Sequence, residues 1–250
     1  MRHVFVGSFA SVCLLCTGTP AQAADLPLSI QTGVRCAPRA SNAPEPVDAL
    51  RIIGVQDTAP RTLYSARDLL IVGAGTGRGI GLGQQFLIQR SSTLGGRPPG
   101  PRAVETTGWL RIVAANESTS IGLVEFACAG IRRGDYLEPY VEPVFPANLE
   151  RPDTTGELDF TAPAHVLFGH NERLTGAFGD FMVIDAGLGG GVQPGARFAI
   201  YRDVHVLGVP LAPVGEAVVV RADPDTAVVR LTLTRDAVQQ SDLLIPRKSK

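Results

Sequence analysis

Apolar residues recur along the chain in short runs, most of which end at glycine, proline, asparagine or aspartate. Leu69–Val72 and Phe181–Ile184 are runs of four apolar residues, and each leads into a glycine-rich segment. The run that starts at Ala227 alternates apolar and polar residues near its end, which is typical of a half-buried strand. Helical periodicity is hard to find beyond single turns. The pattern therefore predicts an all-β chain of short antiparallel strands joined by tight turns.

The chain also repeats itself. Residues 68–90 align with residues 180–202 without a gap, with nine identities in 23 columns. Residues 108–139 align in the same way with residues 215–246, with seven identities in 32 columns. The segment that joins the two blocks is 17 residues long in the first copy and 12 in the second, so the first copy carries a Pro/Gly-rich insertion at a predicted hairpin tip. We therefore expect two homologous small antiparallel β-barrel or β-sandwich domains in tandem.

The N-terminus has the pattern of an export signal, which we assign to residues 1–23. A basic start precedes a short apolar run, and Ala21 and Ala23 fit the rule of small residues at a cleavage site. A lipoprotein signal that ends at Cys16 is the alternative, although Leu15 is large for the position before a lipidated cysteine. No later run is long enough for a transmembrane helix, so we expect a periplasmic or otherwise exported protein.

Four further segments follow the signal. Residues 24–48 are rich in proline, alanine and serine and are expected to form an irregular leader. Residues 49–140 form the first predicted β-domain and residues 164–247 the second. Residues 141–163 contain four prolines and are expected to be a linker.

The predicted mature chain keeps two cysteines, Cys36 and Cys128. An even pair in an oxidising compartment favours a disulfide, which would tie the leader to the first repeat. Two buried free thiols are the alternative.

Composition removes several classes of function. The net charge is −1, so no global field points to nucleic acid or to an anionic membrane. The only lysines are Lys248 and Lys250, which excludes mechanisms that need a lysine within the domains, such as phosphate-loop and Schiff-base chemistry. No cofactor is expected.

One segment imitates a nucleotide-binding loop. Gly75, Gly79 and Gly81 follow an apolar run with the spacing of short-chain dehydrogenases, in which bare backbone approaches a pyrophosphate. However, no long amphipathic helix follows, and the second copy has Pro194 where such a helix needs a backbone donor. We expect these glycines to form a turn instead, by adopting positive φ angles and allowing close backbone approach.

The two copies share a signature that we expect to be structural. Its residues are Asp68, Gly75, Gly79, Gly83, Phe86 and Arg90 in the first copy and Asp180, Gly187, Gly191, Gly195, Phe198 and Arg202 in the second. The repeated aspartate and arginine are expected to form an ion pair or a turn cap in each domain. The signature resembles the C-terminal β-domain of the flagellar assembly protein FlgT and the domains that follow LysM modules in exported proteins. This resemblance implies a β fold and an exported compartment, and it brings no catalytic residues.

Other side chains with reactive chemistry do not form a convincing site. His165 and His170 lie near Glu172, but a metal site needs further convergent ligands. The linker carries three acids, Asp153, Glu157 and Asp159. A hydrolytic carboxylate pair is conceivable among them, although linker acids are usually solvated. Trp109 and Tyr140 are candidates for a partner-binding surface, with core packing as the alternative for Trp109.

The sequence thus predicts a non-enzymatic exported module that acts as a cell-envelope scaffold or protein-interaction piece, with an envelope protein as its partner. Open strand edges would allow a partner to add a strand. A module that binds peptidoglycan or another envelope polysaccharide is the alternative. An exported hydrolase is a third reading, for which the sequence offers no residue set.

Overall fold

The computed structural model describes residues 26–94 and 101–248, so the predicted signal peptide lies outside the described residues. The leader holds helix α1 (Leu28–Cys36) and strand β1 (Arg39–Ser41). The first repeat contains β2 (Leu50–Val55), β3 (Leu69–Val72), β4 (Gln85–Thr93), β5 (Arg102–Ala115), β6 (Ser120–Ala127) and β7 (Tyr136–Pro139). The linker contains β8 (Glu157–Leu158). The second repeat contains β9 (Ala164–Gly169), β10 (Thr175–Gly176), β11 (Phe181–Ile184), β12 (Arg197–Arg202), β13 (Ala212–Ala222), β14 (Ala227–Thr234), β15 (Val238–Gln239) and β16 (Leu243–Lys248).

Each repeat closes into a six-stranded antiparallel β-barrel, which confirms the predicted all-β tandem and selects barrel over sandwich. In barrel one the order is β5-β4-β7-β2-β3-β6, and β6 pairs back with β5. In barrel two the order is β13-β12-β16-β9-β11-β14, with β14 paired to β13. The two orders are the same when the repeats are superimposed along the sequence. Because a closed sheet has no edge among its six strands, strand addition to an open barrel edge is not the way this fold would meet a partner.

The interior of each barrel is filled by the inward residues of its strands. Barrel one encloses Ile52, Leu70, Ile88, Leu110, Ile112 and Ile131, all at most 1% exposed. Barrel two encloses Met182, Ile184, Phe198, Ile200, Leu231 and Leu244, which are buried to the same degree. Both interiors are packed cores.

The leader is not irregular throughout, which corrects the sequence-based expectation. The N-cap residue of helix α1, Pro27, provides no side-chain cap. The buried side chains of the helix include Ile30 and Val34, which lie one turn apart. These side chains pack on the outside of barrel two. A helix of nine residues is marginal alone, so this apolar contact supplies the stability that propensity does not.

A second apolar core lies outside the barrels and joins both to the leader. We call it the shared core. Its buried members are Ile30, Val34, Ala37, Ala40, Ala103, Phe145, Leu149, Phe168, Phe181, Val183, Val218, Val220 and Val228. They come from the leader, from β5 of barrel one, from the linker and from the outer face of barrel two. The two barrels are therefore joined through the leader and the linker, with Ala103 as the buried contribution of barrel one.

The proline-rich linker is also more ordered than predicted. Phe145 and Leu149 are buried in the shared core, and β8 pairs with the end of β16. Arg197 of β12 donates to the backbone oxygen atoms of Asn148 and Arg151 at 2.6 and 2.9 Å. The linker is thus a structural cover for barrel two.

Cys36 and Cys128 form a disulfide, with their Cα atoms 5.6 Å apart. Cys36 ends α1, and Cys128 directly follows β6 of barrel one. Since helix α1 packs on barrel two, the disulfide at its last residue links this helix covalently to barrel one. Among the described residues, no helix has the length and apolar character needed to cross a bilayer.

Gly33 is the point at which α1 approaches barrel two most closely. A Cβ atom at this position would lie 2.5 Å from the ring of Phe181, which is 5% exposed. Gly33→Ala is expected to lower stability, because overpacking costs about 1–3 kcal/mol, against the roughly 1 kcal/mol that alanine gains over glycine in a helix. Thermal unfolding measures the effect. Leu28→Ala, at a position of α1 that is 74% exposed, is the control and should leave the midpoint unchanged.

Candidate functional site

The glycine-rich loops use their amide groups to bind a neighbouring turn of the same barrel. In barrel two, the amides of Leu188 and Gly189 donate to the carbonyl oxygens of Asp223 and Pro224, each at 2.9 Å. The same two bonds recur in barrel one. A phosphate-binding loop needs such amides to be free for the ligand. These amides are already satisfied, so the loops join strands and do not cradle a phosphate.

The signature glycines meet two different backbone demands. Gly79, Gly83, Gly191 and Gly195 have φ angles of 77°, 80°, 80° and 89°, in the left-handed region that favours glycine. Gly75 and Gly187 have extended backbones instead, and they touch the facing turn so closely that no side chain fits. Each pair of equivalent glycines therefore has the same geometry in both barrels.

Gly187 and Gly190 lie in one loop and allow a matched test of close approach. A Cβ atom at Gly187 would lie 2.3 Å from the carbonyl oxygen of Asp223, whereas nothing lies within 4 Å of a Cβ atom at Gly190. Gly187→Ala should destabilise barrel two by about 1–3 kcal/mol or more, since backbone must move. Gly190→Ala should leave the free energy of unfolding unchanged or raise it by up to about 1 kcal/mol. Urea unfolding of both variants measures the difference, and equal effects would contradict this account of the loop.

The repeated arginine forms an ion pair in each barrel, though not with the aspartate of the same block. Arg90 donates to both carboxylate oxygens of Asp135 at 2.9 and 2.7 Å. Arg202 does the same with Asp242 at 2.7 and 2.9 Å. The carboxylates are 4% and 0% exposed. This buried bidentate pair ties the third barrel strand of each repeat, β4 or β12, to the turn before its last strand.

Asp68 and Asp180 cap turns. The carboxylate of Asp68 accepts the Ser65 amide at 2.8 Å, and that of Asp180 accepts the Ala177 amide at 2.9 Å. The last signature residues, Phe86 and Phe198, are buried in the two barrel interiors. All twelve signature residues thus have roles in the fold.

A groove runs past the glycine loop of barrel two and offers room for a ligand. It consists of two adjoining cavities of about 990 and 500 Å³, which share Gly191, Ala196, Arg197 and Arg247. Asn148, Asp153, Thr155 and Gln193 add polar groups to its wall.

The cations of this groove already have protein partners. Arg197 binds linker carbonyls, as described above. Arg247 donates to Glu216 at 2.7 Å and to the carbonyl oxygen of Thr154 at 2.9 Å. Lys248 lies 3.1 Å from Asp159. The groove is therefore suited to a neutral polar ligand more than to an anion.

The linker acids do not form a hydrolytic pair with a proton donor. Asp159 accepts two hydrogen bonds from Thr161 and contacts Lys248, which holds the pKa of its carboxyl at about 2. Two hydrogen bonds from Thr155 lower the pKa of Asp153 in the same way. Glu157 lies in β8. At neutral pH both aspartates are ionised, so neither can act as a general acid.

The histidines remain separate from one another. His165 lies 3.2 Å from Asp185, and burial lowers the pKa of His170. Over residues 26–94 and 101–248, no group of three or more His, Cys, Asp or Glu side chains converges as metal ligands would.

Trp109 lies half-buried on the outside of barrel one. Its ring stacks on Phe126, with 4.7 Å between ring centroids, and tilts toward Tyr140 at 6.2 Å. The Tyr140 hydroxyl donates to Glu142, which also accepts from Arg35 of α1. This cluster therefore fastens the leader and linker to barrel one, and the core position considered for Trp109 is not observed.

Two aliphatic surfaces remain open to solvent. The first, the hairpin loop, is the segment 203–211 between β12 and β13, in which Val204, Val206, Leu207 and Val209 are 41%, 58%, 103% and 50% exposed. The second, the outer face of barrel one, consists of Ile53, Leu69, Ile71, Val113 and Ile121, which point away from the barrel interior. Ile53 and Val113 are 41% and 45% exposed. Clustered aliphatic residues of this kind mark interaction sites more often than isolated ones do.

Sequence reasoning missed the outer face of barrel two as an interface, although a signal for it is present. The runs 181–184 and 217–220 are apolar at every position, and every residue in them is buried. A strand with one solvated face alternates, whereas a continuous apolar run indicates burial on both faces.

Comparison of the chain with models of known protein families gives no match, and comparison with curated proteins gives none either. The fold nevertheless defines a class: a tandem of six-stranded antiparallel β-barrels, joined by a disulfide-bonded leader helix. The resemblance to the FlgT domain remains a prediction.

Proposed function

We propose that this chain is a non-enzymatic protein of the cell envelope that acts after export as a rigid scaffold or protein-interaction module. The observation that carries the proposal is the shared core, which fixes one barrel against the other and leaves separate aliphatic surfaces exposed. An arrangement of this kind presents two surfaces at a constant distance and angle.

The polar groups support the same reading, because those with the most reactive chemistry serve the fold. The glycine-loop amides bind turns, the repeated arginines bind buried aspartates, and the groove cations bind the linker. Each of these groups has a partner within the protein, so exposed apolar area is the feature of the described surface that best suits a binding partner.

The test is site-specific photocrosslinking in the cell. A photoreactive residue at Leu207 should give a crosslinked product that mass spectrometry identifies as one defined envelope protein. The same residue at Val144, an 85% exposed position in the linker, is the control and should not give that product. Absence of a specific product from Leu207 and Val113 alike would contradict the proposal. Cell fractionation, with a mature N-terminus near Ala24, tests export independently.

Binding of an envelope polysaccharide such as peptidoglycan is a second candidate, favoured by the groove beside the glycine loop. Its polar wall, which includes the neutral side chains of Asn148 and Gln193, suits a chain of sugar units. Purified sacculi should then sediment the protein, and Gln193→Ala should weaken this, while Gln56→Ala on barrel one should not. Equal sedimentation of both variants with the wild type would remove the groove from consideration.

A further inference from the structure

The hairpin formed by β4 and β5 of barrel one is part of the contact between the barrels. Its ladder extends to the pair Thr93 and Arg102, and β1 adds to its outer side. Ala103 lies in the shared core, and Leu94 packs against it. The hydroxyl of Ser92 lies 2.5 Å from the carboxylate of Glu172 in barrel two. In the first repeat, this hairpin with its leader cover is therefore a docking element for the next barrel.

In the described part of the chain, no further barrel packs against the equivalent hairpin of barrel two. Its ladder ends at the pair Arg202 and Ala212, and the hairpin loop follows. None of the described helices covers this loop, and the loop itself carries four exposed aliphatic side chains. In the first repeat, helix α1 supplies apolar side chains next to the hairpin. In the second repeat, the hairpin loop carries its own apolar side chains.

The surface that such a loop would need is present on barrel one. In barrel two the equivalents of the outer face of barrel one are Leu167, Phe181, Val183, Val220 and Val228. The last four are buried in the shared core, and Leu167 packs against it. On barrel one the same positions keep aliphatic side chains, although nothing in the described part of the chain covers Ile53 or Val113. An apolar face that is covered in one repeat is thus open in the other.

We propose that the hairpin loop of one molecule packs on the outer face of barrel one of a second copy of this chain. The contact would repeat, between molecules, the arrangement that already joins the two barrels within one molecule. The inference rests on the proposed interaction function and names its partner. Since the two surfaces differ, the contact is head-to-tail and leaves both ends of a dimer able to add further copies.

Sedimentation velocity of the exported chain, followed from low concentration to roughly 1 mM, tests the proposal. The wild type should show a sedimentation coefficient that rises steadily with concentration, without stopping at a dimer. Leu207→Glu and Val113→Glu should each weaken association by at least about tenfold, because a charge would be buried in an apolar contact. Val144→Glu, a change at an 85% exposed position outside both surfaces, should behave as the wild type.

Mixing the two variants gives the sharpest outcome. Leu207→Glu keeps an intact outer face, and Val113→Glu keeps an intact hairpin loop, so the mixture should form a one-to-one dimer that cannot grow. A dimer formed through two copies of the same surface would not be restored by mixing, because one of the two variants lacks that surface. Absence of a one-to-one dimer of the two variants would therefore overturn the proposal. Ile53→Glu replaces Val113→Glu if the latter lowers the thermal midpoint of the monomer.

The remaining outcomes separate this inference from the proposed function. A monomeric wild type that crosslinks to a different envelope protein through Leu207 would overturn the second-copy partner and keep the interaction function. A monomer without any specific crosslink would overturn both. Binding of the wild type, but not of Leu207→Glu, to phosphatidylglycerol vesicles without self-association would assign the loop to a lipid surface and overturn the second-copy contact.

Discussion

Asp242→Asn is expected to destabilise barrel two by about 3–5 kcal/mol, because it removes the buried charge that pairs with Arg202 and leaves that arginine only an exposed carboxylate as ionic partner. The carboxylate of Asp242 is 0% exposed and accepts two bonds from Arg202 and one from the amide of Gln239 at 2.8 Å. The guanidinium of Arg202 stays charged in the variant, because arginine is effectively always protonated, so it cannot relieve the loss by giving up a proton. Urea unfolding of the oxidised protein measures the change in free energy.

The same arginine supplies the matched control. Asp236 also binds Arg202, at 2.7 Å, but its carboxylate is 66% exposed and solvent screens the interaction. Asp236→Asn should therefore have little effect on the unfolding curve. Asp135→Asn should weaken barrel one as Asp242→Asn weakens barrel two, since the two pairs have the same geometry. Similar results for Asp236→Asn and Asp242→Asn would show that burial does not set the strength of these pairs.

Reduction of the disulfide is expected to lower stability by about 2–5 kcal/mol and to loosen the leader from barrel one. Cys36 and Cys128 are separated by 92 residues, and closing a long loop removes much entropy from the unfolded chain. The helix would keep its apolar contact with barrel two, so amide hydrogen exchange should rise most near Cys36 and at the end of β6. Thermal unfolding with and without reductant gives the size of the effect.

A variant without either cysteine provides the control for that measurement. Cys36→Ser combined with Cys128→Ser should unfold at the midpoint of the reduced wild type and should not respond to reductant. A wild type whose midpoint ignores reductant would contradict the stabilising role of the disulfide.

The repeated elements were predictable because their causes are local. The turn at Gly79 and Gly191 needs a positive φ angle, which favours glycine in both copies. At Gly75 and Gly187 the facing backbone is so close that only glycine fits. The comparison of copies therefore identifies these residues as part of the fold without any coordinates. Barrel closure was harder to foresee, since barrel and sandwich share the same short alternating strands.

The features that the sequence did not predict depend on distant partners. Helix α1 lacks a capping side chain, and Ile30 and Val34 become a face only when Phe181 is there to receive it. The partner of Arg90 is Asp135, 45 residues away, which no local pattern connects to it. The exposed hairpin loop has no periodicity at all, and its meaning comes from comparison with the covered hairpin of barrel one.

The shared core also has a consequence for the order in which the chain is made. Several strands of barrel two are apolar on both their inner and their outer faces. Alone, barrel two would therefore expose an aggregation-prone apolar surface during folding. Translation proceeds from the N-terminus, and the leader and barrel one are therefore synthesised before barrel two. The leader and barrel one are thereby available to cover the apolar outer face of barrel two as soon as it forms. In a circular permutant that begins at barrel two, this face would form before the segments that cover it.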